Sequence, residues 1–135
     1  MKAHFLIDST DKSFEEFRSQ FEQLAATWGL TSKTGYQVRL IVEELWTNFY
    51  KYASTGTQKP IEISMFQSES ELVIVYQDSG PAFNPLEVEP PDVSLPVEKR
   101  QPGGVGLHLV RNYIDSYTYA REENKNILNL KKEIT

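Results

Sequence analysis

The apolar residues of this chain change their period between Tyr52 and Ile61. Before that point they recur every three or four positions: Phe14, Phe17, Phe21, Leu24, Ala25 and Trp28, then Val38, Ile41, Val42, Leu45, Phe49 and Tyr52. Such spacing puts each set on one face of a helix. After it they alternate, with Ile61, Ile63 and Met65 against Glu62, Ser64 and Phe66, and a more wholly apolar run from Leu72 to Tyr76 follows. Alternation is the mark of a strand, and the polar turn Ser68-Glu69-Ser70 makes the pair a hairpin, about Ile61–Gln67 and Glu71–Gln77. Two one-sided helices followed by strands must share one core, a helix layer on a sheet layer.

The boundaries follow from local chemistry. Ser13 with Glu16, and Thr34 with Gln37, form capping-box patterns that predict the two helix starts. Gly29 stops the first helix, and the second ends before Ser54-Thr55-Gly56. His4–Asp8 reads as a first strand, Val105–Tyr113 as a third helix, and Tyr117–Arg121 with Asn126–Lys132 as a final hairpin. The order β-α-α-β-β-loop-α-β-β predicts an α+β two-layer sandwich, a mixed, mostly antiparallel sheet with helices on one face. At 135 residues this is one domain, residues 1–135, and roughly two thirds of the unfolded surface can be buried.

Composition excludes several classes of function. There is no cysteine, so thiol nucleophiles, disulfides and thiolate metal sites are out. Net charge is −5 with no basic block, so direct binding of nucleic acid or a membrane surface has no electrostatic footing. No signal-peptide apolar region follows Met1, and no run approaches about 18 apolar residues, so a cytoplasmic protein is expected.

Three clusters carry candidate chemistry. In Glu43-Glu44-Leu45-Trp46-Thr47-Asn48, Glu44 and Asn48 are four apart and therefore neighbours on one helix face. Glu44 is a candidate general base, and the amide oxygen of Asn48 is a hard ligand suited to Mg²⁺, although a solvated helix face has the same spacing. Asp78-Ser79-Gly80-Pro81-Ala82-Phe83-Asn84-Pro85 ends an apolar strand on an acid. It is either an ordinary turn or a buried acceptor for a ligand amine, with Gly80 letting that ligand come close. In Pro102-Gly103-Gly104-Val105-Gly106-Leu107-His108, three glycines run into a helix. That arrangement is a turn and helix start, or a cradle whose free N–H groups face phosphate. Between Ser79 and Gly104 periodicity is lost, and six of the seven prolines lie between Pro81 and Pro102. A stretch of that length in a compact domain is usually functional or disordered. Lys99 or Arg100 within it could face phosphates.

Taken in order, Glu44-x-x-x-Asn48, Asp78-x-Gly80 and Gly103-Gly104-x-Gly106-Leu107 resemble the Bergerat-type ATP-binding fold of DNA gyrase, heat-shock chaperones, histidine kinases and the mismatch-repair ATPase. Within that group the chain looks most like the small stand-alone bacterial anti-sigma factor serine/threonine kinases. A histidine kinase would need an attached helix pair bearing its phosphoacceptor, for which 135 residues leave no room. The resemblance implies Mg²⁺ and ATP as cofactors, with Asn48 as metal ligand and Glu44 as catalytic base. It gives Asp78 and Gly80 to adenine, Gly104 and Gly106 to the phosphates, and Gly103, Val105 and Leu107 to the same cofactor site. It also implies an ATP lid at about 85–102. It implies a kinase that phosphorylates an antagonist protein and sequesters a sigma factor, with a homodimer possible. Two alternatives stay open, a non-catalytic ATP-dependent binding module and a regulatory kinase outside sigma control. The sequence departs from the family at three points. Tyr52 stands where a histidine is common, Asn84-Pro85 replaces Asp-Pro, and Lys125-Asn126-Ile127 replaces a Gly-Thr pair that opens the last strand and helps hold adenine.

Overall fold

A computed structural model describes residues 1–53, 59–87 and 110–134. The chain runs β1 (Lys2–Ile7), α1 (Asp11–Thr27), α2 (Ser32–Asn48), a π-helical turn (Phe49–Ala53), β2 (Ile61–Gln67), β3 (Glu71–Asp78), a 3-10 turn (Pro85–Glu87), β4 (Ser116–Glu122) and β5 (Lys125–Glu133). Residues 110–113 are helical ahead of β4, the described end of the expected third helix. The sheet order is β1-β2-β3-β5-β4.

The α+β sandwich is as expected, and all four described pairings are antiparallel. The parallel pairing of a mixed sheet does not occur among the described residues. The physical reason lies in the connections. Two hairpins are antiparallel by construction. Between β1 and β2 the chain passes through two helices joined by a four-residue link, so it re-enters the sheet at the end it left and runs back beside β1. β1, β3 and β4 point one way and β2 and β5 the other, so no two strands of like direction are neighbours.

One face of the sheet is dry. Phe5, Ile7, Ile61, Ile63, Met65, Leu72, Ile74, Tyr76, Leu128 and Leu130 are buried against Phe14, Phe17, Phe21, Val38, Ile41, Val42, Leu45 and Phe49 of the helices. The opposite face carries the alternate residues, and Leu6 and Phe66 there are exposed. The core is rich in rings. Phe5 meets Phe17 edge-on with centroids 5.0 Å apart, and Phe14 stacks on Trp46 at 4.7 Å. Such pairs add about 0.5–1.5 kcal/mol each beyond burial.

Both helices start three residues earlier than the capping-box patterns predict. Thr10 and Thr31 are the caps, in extended conformation, and their hydroxyls accept from the N–H groups of Ser13 and Thr34. The residues expected to cap are thus the third residues of their helices. Ser13 still has a terminal role, since its Oγ accepts from the Asp8 N–H at 2.9 Å. Asp8 lies outside β1 because its carboxylate accepts from both the N–H and the hydroxyl of Thr10. Those bonds, led by the hydroxyl, lower the Asp8 pKa. At the far end of α1, Gly29 takes φ +71°, the left-handed conformation that a glycine adopts without strain.

Candidate functional site

One rim of the sheet collects Asp78 and Gly80, and the C-terminal end of α2 with Asn48 is tied to it. The register sets Ile7 opposite Ile61, Glu62 opposite Gln77, and Asp78 opposite Asn126. The C-terminal half of α2 is tied to this same rim. The Trp46 indole N–H donates to the Asp8 carbonyl at 2.7 Å, and the Tyr50 hydroxyl to the Ile7 carbonyl at 3.0 Å. Leu45 and Phe49 anchor the helix in the core. Asn48 is the last α-helical residue and is buried, an unusual place for an amide. Directly after it the helix widens into a π turn, a distortion common at functional sites. Glu44 lies one turn earlier and is half-buried. Burial raises its carboxyl pKa, the neighbouring Glu43 charge raises it further, and Lys51 opposes both. A carboxylate held this way is a stronger base than one in water.

Asp78 ends β3 as a buried acid. Its Oδ2 accepts from the Tyr76 hydroxyl at 2.6 Å. Its Oδ1 accepts from the Gly80 N–H at 2.9 Å and from Asn126 Nδ2 at 2.8 Å. A carboxylate has about four acceptor positions. Three are filled from within the chain, and the one left is on Oδ2. Tyr76, in turn, is buried and sits against this acid, and both effects push its phenol well above the usual range. Burial raises the pKa of Tyr50, and the charges of Asp8 and then Asp78 add to the rise.

Gly80 is fixed from both sides. Its N–H is held by Asp78, and its carbonyl accepts from Arg121 Nη1 at 2.7 Å. Asn84 Oδ1 accepts from the Leu86 N–H at 3.1 Å, Leu86 is fully buried, and Tyr117 donates to Glu87 Oε1 at 2.6 Å. Residues 85–87, the first three of the expected lid, therefore belong to the packed body. Gly103, Gly104, Val105, Gly106 and Leu107 lie outside the described residues, as do Lys99 and Arg100.

Four residues at this rim have a part that the sequence motifs do not announce: Tyr76, Tyr119, Arg121 and above all Asn126. Asn126 is 2% exposed. Its partners are up to 48 residues away in sequence, so spacing cannot reveal them. The only signal was the departure from Gly-Thr at Lys125-Asn126.

These residues suit a purine nucleotide. A ring amine needs a buried acceptor with an unused lone pair beside a residue without a side chain, and Asp78 Oδ2 beside Gly80 supplies both. Among the described residues no three His, Asp or Glu side chains cluster as a metal cage. The amide oxygen of Asn48 is a hard donor of the kind Mg²⁺ takes, an ion that uses one or two protein ligands with phosphate oxygens and water. No helix of the described residues is long and apolar enough to cross a membrane.

The chain belongs to the histidine kinase-like ATPase domain family, whose profile matches residues 7–132. It is similar to the serine/threonine-protein kinase BtrW of Bordetella bronchiseptica, 26% identical over 110 residues that make up 81% of this chain and 78% of that one. It is also similar to the serine-protein kinase RsbW of Bacillus cereus, 28% identical over 110 residues, covering 74% and 69% of the two chains. Among solved structures it resembles the RsbU and RsbW domains of a Mycobacterium tuberculosis protein, with a TM-score of 0.65 at 12% identity. That match covers 98% of this chain and 31% of the other, and at such identity the likeness is one of fold.

Proposed function

We propose that this chain is an ATP-dependent serine/threonine protein kinase of the anti-sigma regulatory type. It would phosphorylate a small antagonist protein and sequester a sigma factor. The observation that carries the reading is the rim itself. A carboxylate with a raised pKa, a buried amide one turn on and a buried acid with one acceptor position left all belong to one end of the sheet. The kinase names of the relatives support the same activity.

Each residue has a role in this reading. Asp78 accepts the adenine amine through Oδ2, and Gly80 leaves room for the ring. Asn48 would hold Mg²⁺ through its amide oxygen. The bound ion would neutralise phosphate charge, the main requirement of phosphoryl transfer. Glu44 receives the proton of the attacking serine or threonine hydroxyl on its carboxylate. The phosphates would fall to the glycine motif Gly103, Gly104, Val105, Gly106 and Leu107, which lies outside the described residues.

The test is a pull-down of partners followed by incubation with γ-labelled ATP. Label on a serine or threonine of a captured protein, lost with Glu44→Ala while ATP binding persists, is expected. Capture that depends on ATP with no transfer of label refutes the kinase and leaves an ATP-dependent binding module.

A further inference from the structure

We infer that Asn126 is the positioning residue that sets base selectivity, by deciding which oxygen of Asp78 is offered to a ligand. The inference rests on the nucleotide reading above. Asn126 is the hub of the rim. Its Nδ2 donates to Asp78 Oδ1 and to the Pro81 carbonyl, each at 2.8 Å. Its Oδ1 accepts from the Phe83 N–H at 3.1 Å, from Arg121 Nη1 at 3.2 Å and from the Tyr119 hydroxyl. Every acceptor lies on the nitrogen side and every donor on the oxygen side. The amide therefore has one satisfactory orientation, and it cannot flip without setting donors against donors and acceptors against acceptors.

The consequence falls on Asp78. With the Gly80 N–H and Asn126 Nδ2 both on Oδ1, that oxygen is used up. Oδ2 keeps its bond from Tyr76 and has the single open position. Asn126 also fixes the ligand's other boundary, because Pro81 and Phe83 hang from its two ends while Arg121 bridges Asn126 to the Gly80 carbonyl. One side chain thus aims the acceptor and holds the loop beside it. A ligand amine meets a fixed lone pair, and a ligand carbonyl at that point meets only negative charge. Sites built on one buried hydrogen bond discriminate strongly because the wrong ligand leaves a polar group unpaired.

Threonine and valine at position 126 separate aiming from packing. They have nearly the same shape and both suit a strand, but only threonine carries a hydroxyl that can donate towards Asp78 Oδ1, through a bridging water because it is one bond shorter than the amide. Both forfeit the bonds to Pro81 and Phe83 equally. The measurement is the ratio of dissociation constants for Mg-ATP and Mg-GTP, with folding checked by Trp fluorescence. Asn126→Thr is expected to hold the ratio within about threefold of the parent, and Asn126→Val to lower it about tenfold, the value of one hydrogen bond. Equal ratios in the two variants and the parent overturn the inference.

Two further readouts cover the other outcomes. If Asn126→Val does not fold, the double variant Tyr119→Phe with Arg121→Met removes two of the three donors to Asn126 Oδ1 and loosens the amide that aims Asp78. A ratio lowered about threefold supports the inference, and an unchanged ratio overturns it. If the parent binds neither nucleotide, the nucleotide reading fails instead. Amide exchange at Phe83 without ligand then still tests the hub, since its N–H loses its acceptor in Asn126→Val and should lose protection, and unchanged protection refutes it.

Discussion

Asp78→Asn tests the recognition chemistry with the smallest change in shape. The substitution turns one acceptor oxygen into an NH₂ donor. The amide oxygen can take the place of Oδ1 and keep the bonds from Gly80 and Asn126. The NH₂ then takes the place of Oδ2, and the Tyr76 hydroxyl must rotate to accept where it had donated. All three contacts survive but lose their charge assistance. Such bonds are worth roughly 1.5–3 kcal/mol against about 1 kcal/mol for neutral ones, and removing a buried charge offsets part of the loss. Folding stability should fall by about 1–2 kcal/mol, with the protein still folded. The effect on ligands is larger. The open position becomes a donor, which repels the adenine amine and suits the guanine carbonyl. Competition of Mg-ATP and Mg-GTP for the parent and the variant reads this directly. The ATP preference of the parent should shrink on the order of a hundredfold. An unmutated protein that binds GTP as well as ATP, or a variant that keeps the parent's preference, refutes the role of Asp78.

Glu44→Gln should cut phosphorylation of the partner on the order of a hundredfold or more while leaving Mg-ATP affinity nearly unchanged, as single-turnover transfer and titration would show. The Glu44 pKa is raised, chiefly by burial, so activity of the parent should fall as pH drops through that raised value. The same shift has a stability sign. The folded state favours the protonated carboxyl, so ionisation weakens folding as pH rises through the raised pKa. Glu44→Gln should therefore raise folding stability at neutral pH, by less than about 1 kcal/mol because the group is partly hydrated, read as a higher melting temperature. In the β4–β5 turn, Glu123 has φ +51° and Asn124 φ +64°. Glutamate gains nothing from that conformation, so Glu123→Gly should stabilise by about 0.5–1 kcal/mol in urea unfolding, and a loss of stability would contradict the turn geometry. Leu86→Ala should cost about 2–5 kcal/mol, because Leu86 is fully buried, and a cost under 1 kcal/mol would mean that the 85–87 turn is not part of the core.

The layers of the fold were legible because burial imposes a period. Phe14, Phe17 and Phe21 face the sheet as their spacing requires, and so do Ile61, Ile63 and Met65. The helix starts were misplaced for a definite reason. Thr10 and Ser13, like Thr31 and Thr34, are hydroxyl residues three apart, and either of a pair can cap. The earlier residue wins in both helices, where it is extended and the later one supplies the N–H. At the site, Glu44 with Asn48 and Asp78 with Gly80 were legible since each pair is local, four or two residues apart. Asn126 was not, because its five partners come from the 78–83 segment and from β4, and only the folded sheet brings them together. The antiparallel course of β1 and β2 likewise depends on the return path through two helices, which strand patterning does not reveal.

The central claim is that this rim binds Mg-ATP, and thermal unfolding of nucleotide-free protein with increasing Mg-ATP tests it most directly. The melting temperature should rise with ligand, equivalent to roughly 2.7 kcal/mol at a hundred times the dissociation constant. Mg-GTP at the same concentration should produce a smaller rise. No change in unfolding at millimolar Mg-ATP contradicts the claim.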